Sequence, residues 1–178
     1  MSTEAGVVLV TGASRGLGAA VAARLAARGH PVAVNYHAGA EAAHRVVDAI
    51  NAAGGAAAAF AADVTDEEQV SDLVGRVGQR LGPVDVLVVN ATGPQPEVGV
   101  EGLTWQAHLD QLVYFVKSPT LLAQAVLPQM KARRHGRIIQ IGSDSVERAL
   151  PRTSAYVAAK GAQLALTRVW ARELVVLC

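Results

Sequence analysis

The sequence is poor in cysteine, in aromatic residues and in excess charge of either sign, and each shortage excludes a class of protein. Its one cysteine, Cys178, excludes an internal disulfide framework and indicates a reducing compartment. The 16 basic and 15 acidic side chains give a net charge of +1, which does not favour nucleic acid or an anionic membrane. No apolar run approaches the roughly 20 residues that span a bilayer, and residues 1–6 lack a signal-peptide pattern. We therefore expect a cytoplasmic protein without nucleic-acid or membrane partners.

The histidines give no sign of a metal site. They stand at positions 30, 37, 44, 108 and 135, without ligand spacing to acids or to the cysteine. We therefore expect no bound metal.

Apolar segments alternate with helical segments along the whole chain. Strands are predicted at 7–10, 31–35, 56–61, 84–89 and 137–141, and helices at 17–28, 40–53, 66–81, 105–134 and 154–174. No linker rich in proline or serine separates them. The pattern predicts a single α/β domain, with a doubly wound, Rossmann-like parallel sheet.

A glycine-rich loop joins the first strand to the first helix. Gly12, Gly16 and Gly18 have no Cβ, so the backbone can turn sharply and approach a pyrophosphate at the positive end of the helix. A tight turn without a ligand remains the alternative. The predicted phosphate-binding residues are Gly12, Ser14, Arg15, Gly16, Leu17 and Gly18.

Tyr156 and Lys160 lie four residues apart at the start of the last predicted helix, and therefore on one face of it. A nearby ammonium favours the phenolate form of a tyrosine, whose pKa is ordinarily about 10. Such a lowered pKa suits a general acid. The pair alone is more often a surface coincidence, but together with Ser143 and the glycine loop it predicts a proton-donating site.

These segments carry a family resemblance. Over roughly residues 7–174 the chain resembles the short-chain dehydrogenase/reductase family. This resemblance implies strand order 3-2-1-4-5 and a nicotinamide dinucleotide across the carboxyl ends of the strands. The matching segments are Thr11 to Gly18, Asp63-Val64, Asn90-Ala91-Thr92-Gly93, Ser143, and Tyr156 with Lys160.

The resemblance also implies a role for each catalytic candidate. Tyr156 protonates the carbonyl oxygen of a small-molecule substrate, Ser143 orients that oxygen, and Lys160 also binds the nicotinamide ribose. Members of this family pair through their last two helices, so a homodimer or homotetramer is expected.

Further roles concern the cofactor-binding candidates. Asp63 is expected to accept a hydrogen bond from the adenine amino group, with Val64 beside the ring. Asn90 is expected to tie the sheet to the neighbouring loop rather than to contact substrate.

The end of the second strand bears on the choice of cofactor. Enzymes that prefer NAD usually place an acid there, whereas this chain has Asn35, Tyr36 and His37. Arg15 could pair with a 2′-phosphate, because a guanidinium suits phosphate geometry. We therefore expect NADP(H); the alternative is an Arg15 that points to solvent.

One family position differs in the long fourth helix. The family usually has an asparagine there, whose backbone carbonyl holds a water near the catalytic lysine, and alignment places Phe115 at that position. Pro119 has no N–H to donate to the carbonyl four residues earlier. We hypothesise that Pro119 frees the Phe115 carbonyl by backbone geometry.

The resemblance extends further than the chain does. Family members typically continue for two more strands and a substrate-covering loop, so the domain is expected to be incomplete at its C-terminus. Ile138, Ile139 and Ile141 are then expected on an open sheet edge, where association is favoured.

Two functions are compatible with these features. The first is an NADPH-dependent ketoreductase that resembles the 3-oxoacyl-carrier-protein reductase branch, with weakened activity in the isolated chain. The alternative is a non-catalytic NADP(H)-binding or interaction protein.

Overall fold

A five-stranded parallel sheet forms the centre of the molecule. A computed structural model describes residues 5–175. The expectations that rest on residues 1–4 and on Cys178 lie outside that range. The strand order is β3-β2-β1-β4-β5, which confirms the predicted order and fold class. The strands are β1 Val7–Val10, β2 Val32–Tyr36, β3 Ala57–Ala61, β4 Val84–Val89 and β5 Arg137–Gln140.

Helices follow the strands and cover both faces of the sheet. They are α1 Gly16–Ala26, α2 Ala40–Ala52, α3 Glu67–Arg80, α4 Trp105–Leu112, α5 Ser118–Arg133, α6 Ser145–Arg148 and α7 Ser154–Val175. A π-helical segment, Val113–Lys117, joins α4 to α5, and a 3-10 turn spans Val100–Gly102. The short α6 and the 3-10 turn lie in stretches predicted as loops, because elements this short have no helical periodicity to detect.

Two hydrophobic clusters hold the layers together. Because side chains alternate along a strand, Val7 and Leu9 enter the cluster that contains residues of α3 and α5. Val8 and Val10 enter the other cluster, which contains residues of α1 and α2. The polar loops meet at the carboxyl ends of the buried strands.

β5 forms one edge of the sheet, as predicted, and β3 forms the other. Within residues 5–175, β5 pairs with β4 alone. Of the three isoleucines expected at this edge, Ile138 and Ile139 lie in β5 and Ile141 directly follows it; Ile139 is 46% exposed, whereas Ile138 and Ile141 are partly buried against the two clusters. None of the helices within residues 5–175 is long and apolar enough to cross a membrane.

Candidate active site

The glycine loop folds tightly over the start of the segment that follows β4. Gly12 and Gly16 have φ angles of +61° and +56°, a region that favours glycine. A Cβ on Gly12 would lie 2.9 Å from the Cα of Ala91, and one on Gly18 would lie 2.6 Å from the Gly12 carbonyl oxygen. Glycine is therefore needed at position 12 for the turn and for close packing, at position 16 for the turn, and at position 18 for close packing.

Thr11 and Asn90 join the ends of β1 and β4. The Thr11 hydroxyl accepts hydrogen bonds from the N–H groups of Asn90 (2.9 Å) and Ala91 (3.0 Å). The Asn90 amide donates to the carbonyl oxygens of Thr11 (2.9 Å) and Gly12 (3.2 Å). The prediction that Asn90 ties the sheet to the loop is confirmed.

Asn35 has a comparable structural role at the end of β2. Its side-chain oxygen accepts a hydrogen bond from the Gly12 N–H at 3.3 Å. Its amide nitrogen donates to the carbonyl oxygens of Ala62 (3.1 Å) and Phe60 (3.3 Å). The buried Asn35 side chain therefore connects β2, the end of β3 and the glycine loop.

Asp63 lies at the end of β3, and its carboxylate is partly engaged by its own turn. One oxygen accepts from the Thr65 N–H (2.8 Å) and hydroxyl (2.7 Å), and the other lies 3.9 Å from Nδ1 of His37. Burial alone raises the pKa of Asp63, but the hydrogen bonds from Thr65 and the charges of His37 and Lys117 together lower it below its usual range. Asp63 therefore carries negative charge at neutral pH.

These loops enclose a cavity of about 540 Å³ at the carboxyl ends of β1, β2 and β3. Fourteen of the predicted cofactor-binding residues line it: Gly12, Ser14, Arg15, Gly16, Leu17, Gly18, Asn35, Tyr36, His37, Asp63, Val64, Asn90, Ala91 and Thr92. Gly93 is not among them; a Cβ there would lie 2.1 Å from the ring of Tyr114, which lines the cavity without having been predicted. Ser143, Tyr156 and Lys160 do not line this cavity.

Lys160 is buried at the carboxyl end of β5. Its ammonium donates to the carbonyl oxygen of Ile141 at 2.6 Å and to Oε1 of Gln163 at 2.9 Å. Burial lowers the pKa of Lys160 to about 8. Gln163 was not identified from the sequence, because a glutamine three residues after a lysine on a helix is ordinarily solvated.

The ring of Phe115 joins two of the three predicted catalytic residues. The Lys160 ammonium lies 4.2 Å from the ring centre, and Tyr156 meets the ring edge-on, with centroids 5.4 Å apart and planes at 83°. Ser143 is two residues beyond Ile141, and its hydroxyl accepts from the Ser145 N–H at 3.2 Å. The structure thus brings Tyr156 and Lys160 around one buried ring, with Ser143 in the loop after β5.

Sequence comparison agrees with this architecture. The profile described as short chain dehydrogenase matches residues 6–176. The chain belongs to the short-chain dehydrogenase family. It is 37% identical over 168 residues to a 3-oxoacyl-(acyl-carrier-protein) reductase FabG of Staphylococcus epidermidis, a match that covers 93% of the chain and 68% of that relative.

Two further similarities are informative. An uncharacterized oxidoreductase of Methylorubrum extorquens is 38% identical over 171 residues, covering 96% of the chain and 68% of that protein. The crystal structure of a metagenomic short-chain oxidoreductase in complex with NADP superposes with a TM-score of 0.88 at 32% identity, covering 97% of the chain and 78% of that structure. The family and its fold are therefore established for this short-chain dehydrogenase.

The long helix of this short-chain dehydrogenase changes its hydrogen-bond spacing next to Phe115. The π-helical segment Val113–Lys117 directly precedes Ser118 and the buried Pro119. Proline has no N–H, so Pro119 cannot donate to the Phe115 carbonyl. The interruption lies where it was predicted, and a free Phe115 carbonyl stays a prediction.

Proposed function

We propose that this chain is an NADPH-dependent ketoreductase with a single dinucleotide-binding domain. It would interconvert a carbonyl compound and a secondary alcohol. The observation that carries the proposal is the meeting of Tyr156 and Lys160 around the Phe115 ring, at the carboxyl end of β5. The similarity to 3-oxoacyl-(acyl-carrier-protein) reductases favours a 3-oxoacyl substrate.

The cavity beside the glycine loop fits the nucleotide half of NADPH. The exposed backbone of Gly16 at the first turn of α1 offers N–H groups and a positive helix end to the pyrophosphate. Arg15 is exposed at the rim of the cavity and can reach a 2′-phosphate. Asp63 keeps one carboxylate oxygen that is not engaged by Thr65, and this oxygen can accept from the adenine amino group. When bound, the nicotinamide supplies the hydride.

The chain's own residues supply the proton and the orientation. We assign the proton donor to Tyr156, whose phenol would protonate the substrate oxygen. Lys160 places a buried positive charge at the same Phe115 ring that Tyr156 contacts, and a nearby cation stabilises developing phenolate charge. The Ser143 hydroxyl keeps its own proton free, since it acts only as an acceptor toward Ser145, and can donate to the same substrate oxygen.

A second function deserves testing because of one observation. Two of the three N–H donors of Lys160 are already engaged by Ile141 and Gln163, and the aromatic Phe115 packs on the same ammonium. This arrangement favours a non-catalytic NADP(H)-binding protein if Lys160 never releases either partner.

The two functions are distinguished by binding and turnover measured together. NADPH binding is followed by its fluorescence, and NADPH oxidation is followed with a panel of ketones and 3-oxoacyl thioesters. We expect both in the native chain and binding alone in Tyr156→Phe. Tyr114→Phe is the matched control, since it removes a phenol hydroxyl beside the nucleotide cavity instead, and it should retain turnover. Binding without turnover in the native chain would select the non-catalytic function.

We also propose a homo-oligomer built through α4 and α7. Their exposed apolar side chains include Trp105, Leu109, Leu164 and Val169, of which Trp105 is 69% exposed. Such side chains are typical of an interface. Light scattering of the purified chain should give a dimer or a tetramer, and a monomer at micromolar concentration would contradict this.

The low cysteine content and near-neutral charge favour a cytoplasmic location.

A further inference from the structure

Gln163 is buried on the same face of α7 as Lys160. Gln163 is 3% exposed and Lys160 is 7% exposed. The Gln163 side-chain oxygen accepts from the Lys160 ammonium at 2.9 Å, while the Ile141 carbonyl accepts at 2.6 Å. The Phe115 ring lies 4.2 Å from the same nitrogen. Lys160 is thus contacted from the residue that follows β5, from the π-helical segment and from its own helix.

No carboxylate compensates for the burial of this charge. Among residues 5–175, no aspartate or glutamate forms an ion pair with Lys160. The titratable group that faces Phe115 together with Lys160 is Tyr156, one helical turn earlier. A buried ammonium without an anion depends on neutral acceptors, and each hydrogen bond to a charged group counts for more than a neutral one. The Gln163 amide is the one side-chain acceptor within the described residues that Lys160 contacts.

We propose that Gln163 is a positioning residue for Lys160: its side-chain oxygen fixes the ammonium between the Ile141 carbonyl and the Phe115 ring and stabilises its charge. This role explains how a chain with an aromatic ring at position 115 retains a charged lysine. The consequence for turnover rests on the proposed function, whereas the effect on Lys160 itself does not.

The composition of the chain makes the effect on Lys160 directly measurable. The sequence contains three lysines, Lys117, Lys131 and Lys160, so a chain labelled with 13C at the lysine ε-carbon gives three side-chain NMR signals. Lys117 and Lys131 are exposed and serve as internal references. The Lys160 signal is identified by its loss in Lys160→Met. In the native chain, we expect the Lys160 midpoint near pH 8.

Three substitutions then test Gln163. Gln163→Leu removes the acceptor and should lower the proton affinity of Lys160 by about tenfold or more, moving its midpoint down by about one pH unit. Gln163→Glu retains an acceptor and adds a negative charge, so the Lys160 midpoint should rise above the native value. Thr167→Val is the control, because the Thr167 hydroxyl donates to the backbone oxygen of Gln163 and not to Lys160. Its Lys160 midpoint should equal the native one.

The outcomes separate this proposal from the proposed function. A Lys160 midpoint unchanged in both Gln163→Leu and Gln163→Glu, in chains with native circular dichroism, would overturn the positioning role. If Gln163→Leu does not fold, the direction of the Gln163→Glu shift decides alone. The pH profile of ketone reduction should move with the Lys160 midpoint. A midpoint that shifts without the profile would count against the catalytic assignment of Lys160 and leave the positioning of Lys160 by Gln163 supported.

Discussion

The Lys160 ammonium lies over the face of the Phe115 ring, 4.2 Å from its centre. A ring face attracts a cation, and the attraction grows when water is excluded, as it is around these two buried side chains. Phe115 thus contacts the lysine directly, with its side chain, at the position where relatives are expected to have an asparagine. The chemistry of the site depends on this ring as much as on the hydrogen bonds of Lys160.

Phe115→Leu should destabilise both the fold and the charged lysine. We expect the free energy of unfolding to fall by about 1–3 kcal/mol, from lost packing and lost cation–π attraction. The midpoint of the Lys160 NMR signal should also move to lower pH. Phe60→Leu is the matched control: Phe60 is the other phenylalanine, is equally buried, and packs near Arg76 instead. If Phe60→Leu shifts the midpoint of the Lys160 signal as much as Phe115→Leu does, this result argues against a direct contact between Phe115 and Lys160.

The burial of Lys160 predicts a pH dependence of stability. The folded-state pKa is lowered to about 8 from an ordinary 10.5, so between these values the unfolded chain binds more protons. Below pH 8, the burial of Lys160 therefore lowers the free energy of unfolding by its full amount. This destabilisation disappears as the pH rises from 8 through 10.5. The free energy of unfolding of Lys160→Met minus that of the native chain should therefore fall by about 2 kcal/mol between pH 7 and pH 10. Urea denaturation across this range measures it, with Lys131→Met as the exposed control; a constant difference would mean that Lys160 is not buried as a cation.

Arg15→Glu should reduce the preference for NADPH over NADH. A lost charge-assisted contact to a 2′-phosphate weakens NADPH binding by about 10- to 100-fold, while NADH binding changes little. Fluorescence titration with both nucleotides checks this. Arg24→Glu makes the same change of charge, but within α1 and outside the cavity. It should leave the ratio of NADPH and NADH affinities unchanged. If Arg15→Glu leaves NADPH affinity unchanged relative to NADH, Arg15 points to solvent.

Gly18→Ala should weaken the junction between the glycine loop and β4. The new Cβ would lie 2.6 Å from the Asn90 amide nitrogen and from the Gly12 carbonyl oxygen, two partners in one hydrogen bond. We expect a loss of about 2 kcal/mol or more in unfolding free energy. Gly75→Ala lies inside α3, where an added Cβ would meet no atom within 4 Å outside its own stretch of helix backbone, and should instead stabilise the chain by about 0.5–1 kcal/mol. Equal effects in the two variants would show that the junction is not crowded.

Much of the fold could be predicted because strand periodicity and glycine placement are local properties. The strands of Val84–Val89 and Val7–Val10 were located to the residue, and Asn90 was assigned its tie to the loop. The contacts of Gln163 and Tyr114 could not be predicted, since they depend on which helix faces meet after packing. The open edge at β5 could be predicted, but the partial burial of Ile138 could not, because the packing of an edge strand against the core leaves no mark in a four-residue strand.

The most direct test of the proposed ketoreductase follows the hydride and the proton donor together. NADPH that carries deuterium at the transferred position of its nicotinamide is incubated with the chain and a 3-oxoacyl thioester, and the product is analysed by mass spectrometry. We predict a 3-hydroxyacyl thioester that contains one deuterium in the native chain and none formed by Tyr156→Phe. An alcohol without deuterium, or equal deuterated product from both chains, would contradict the assignment.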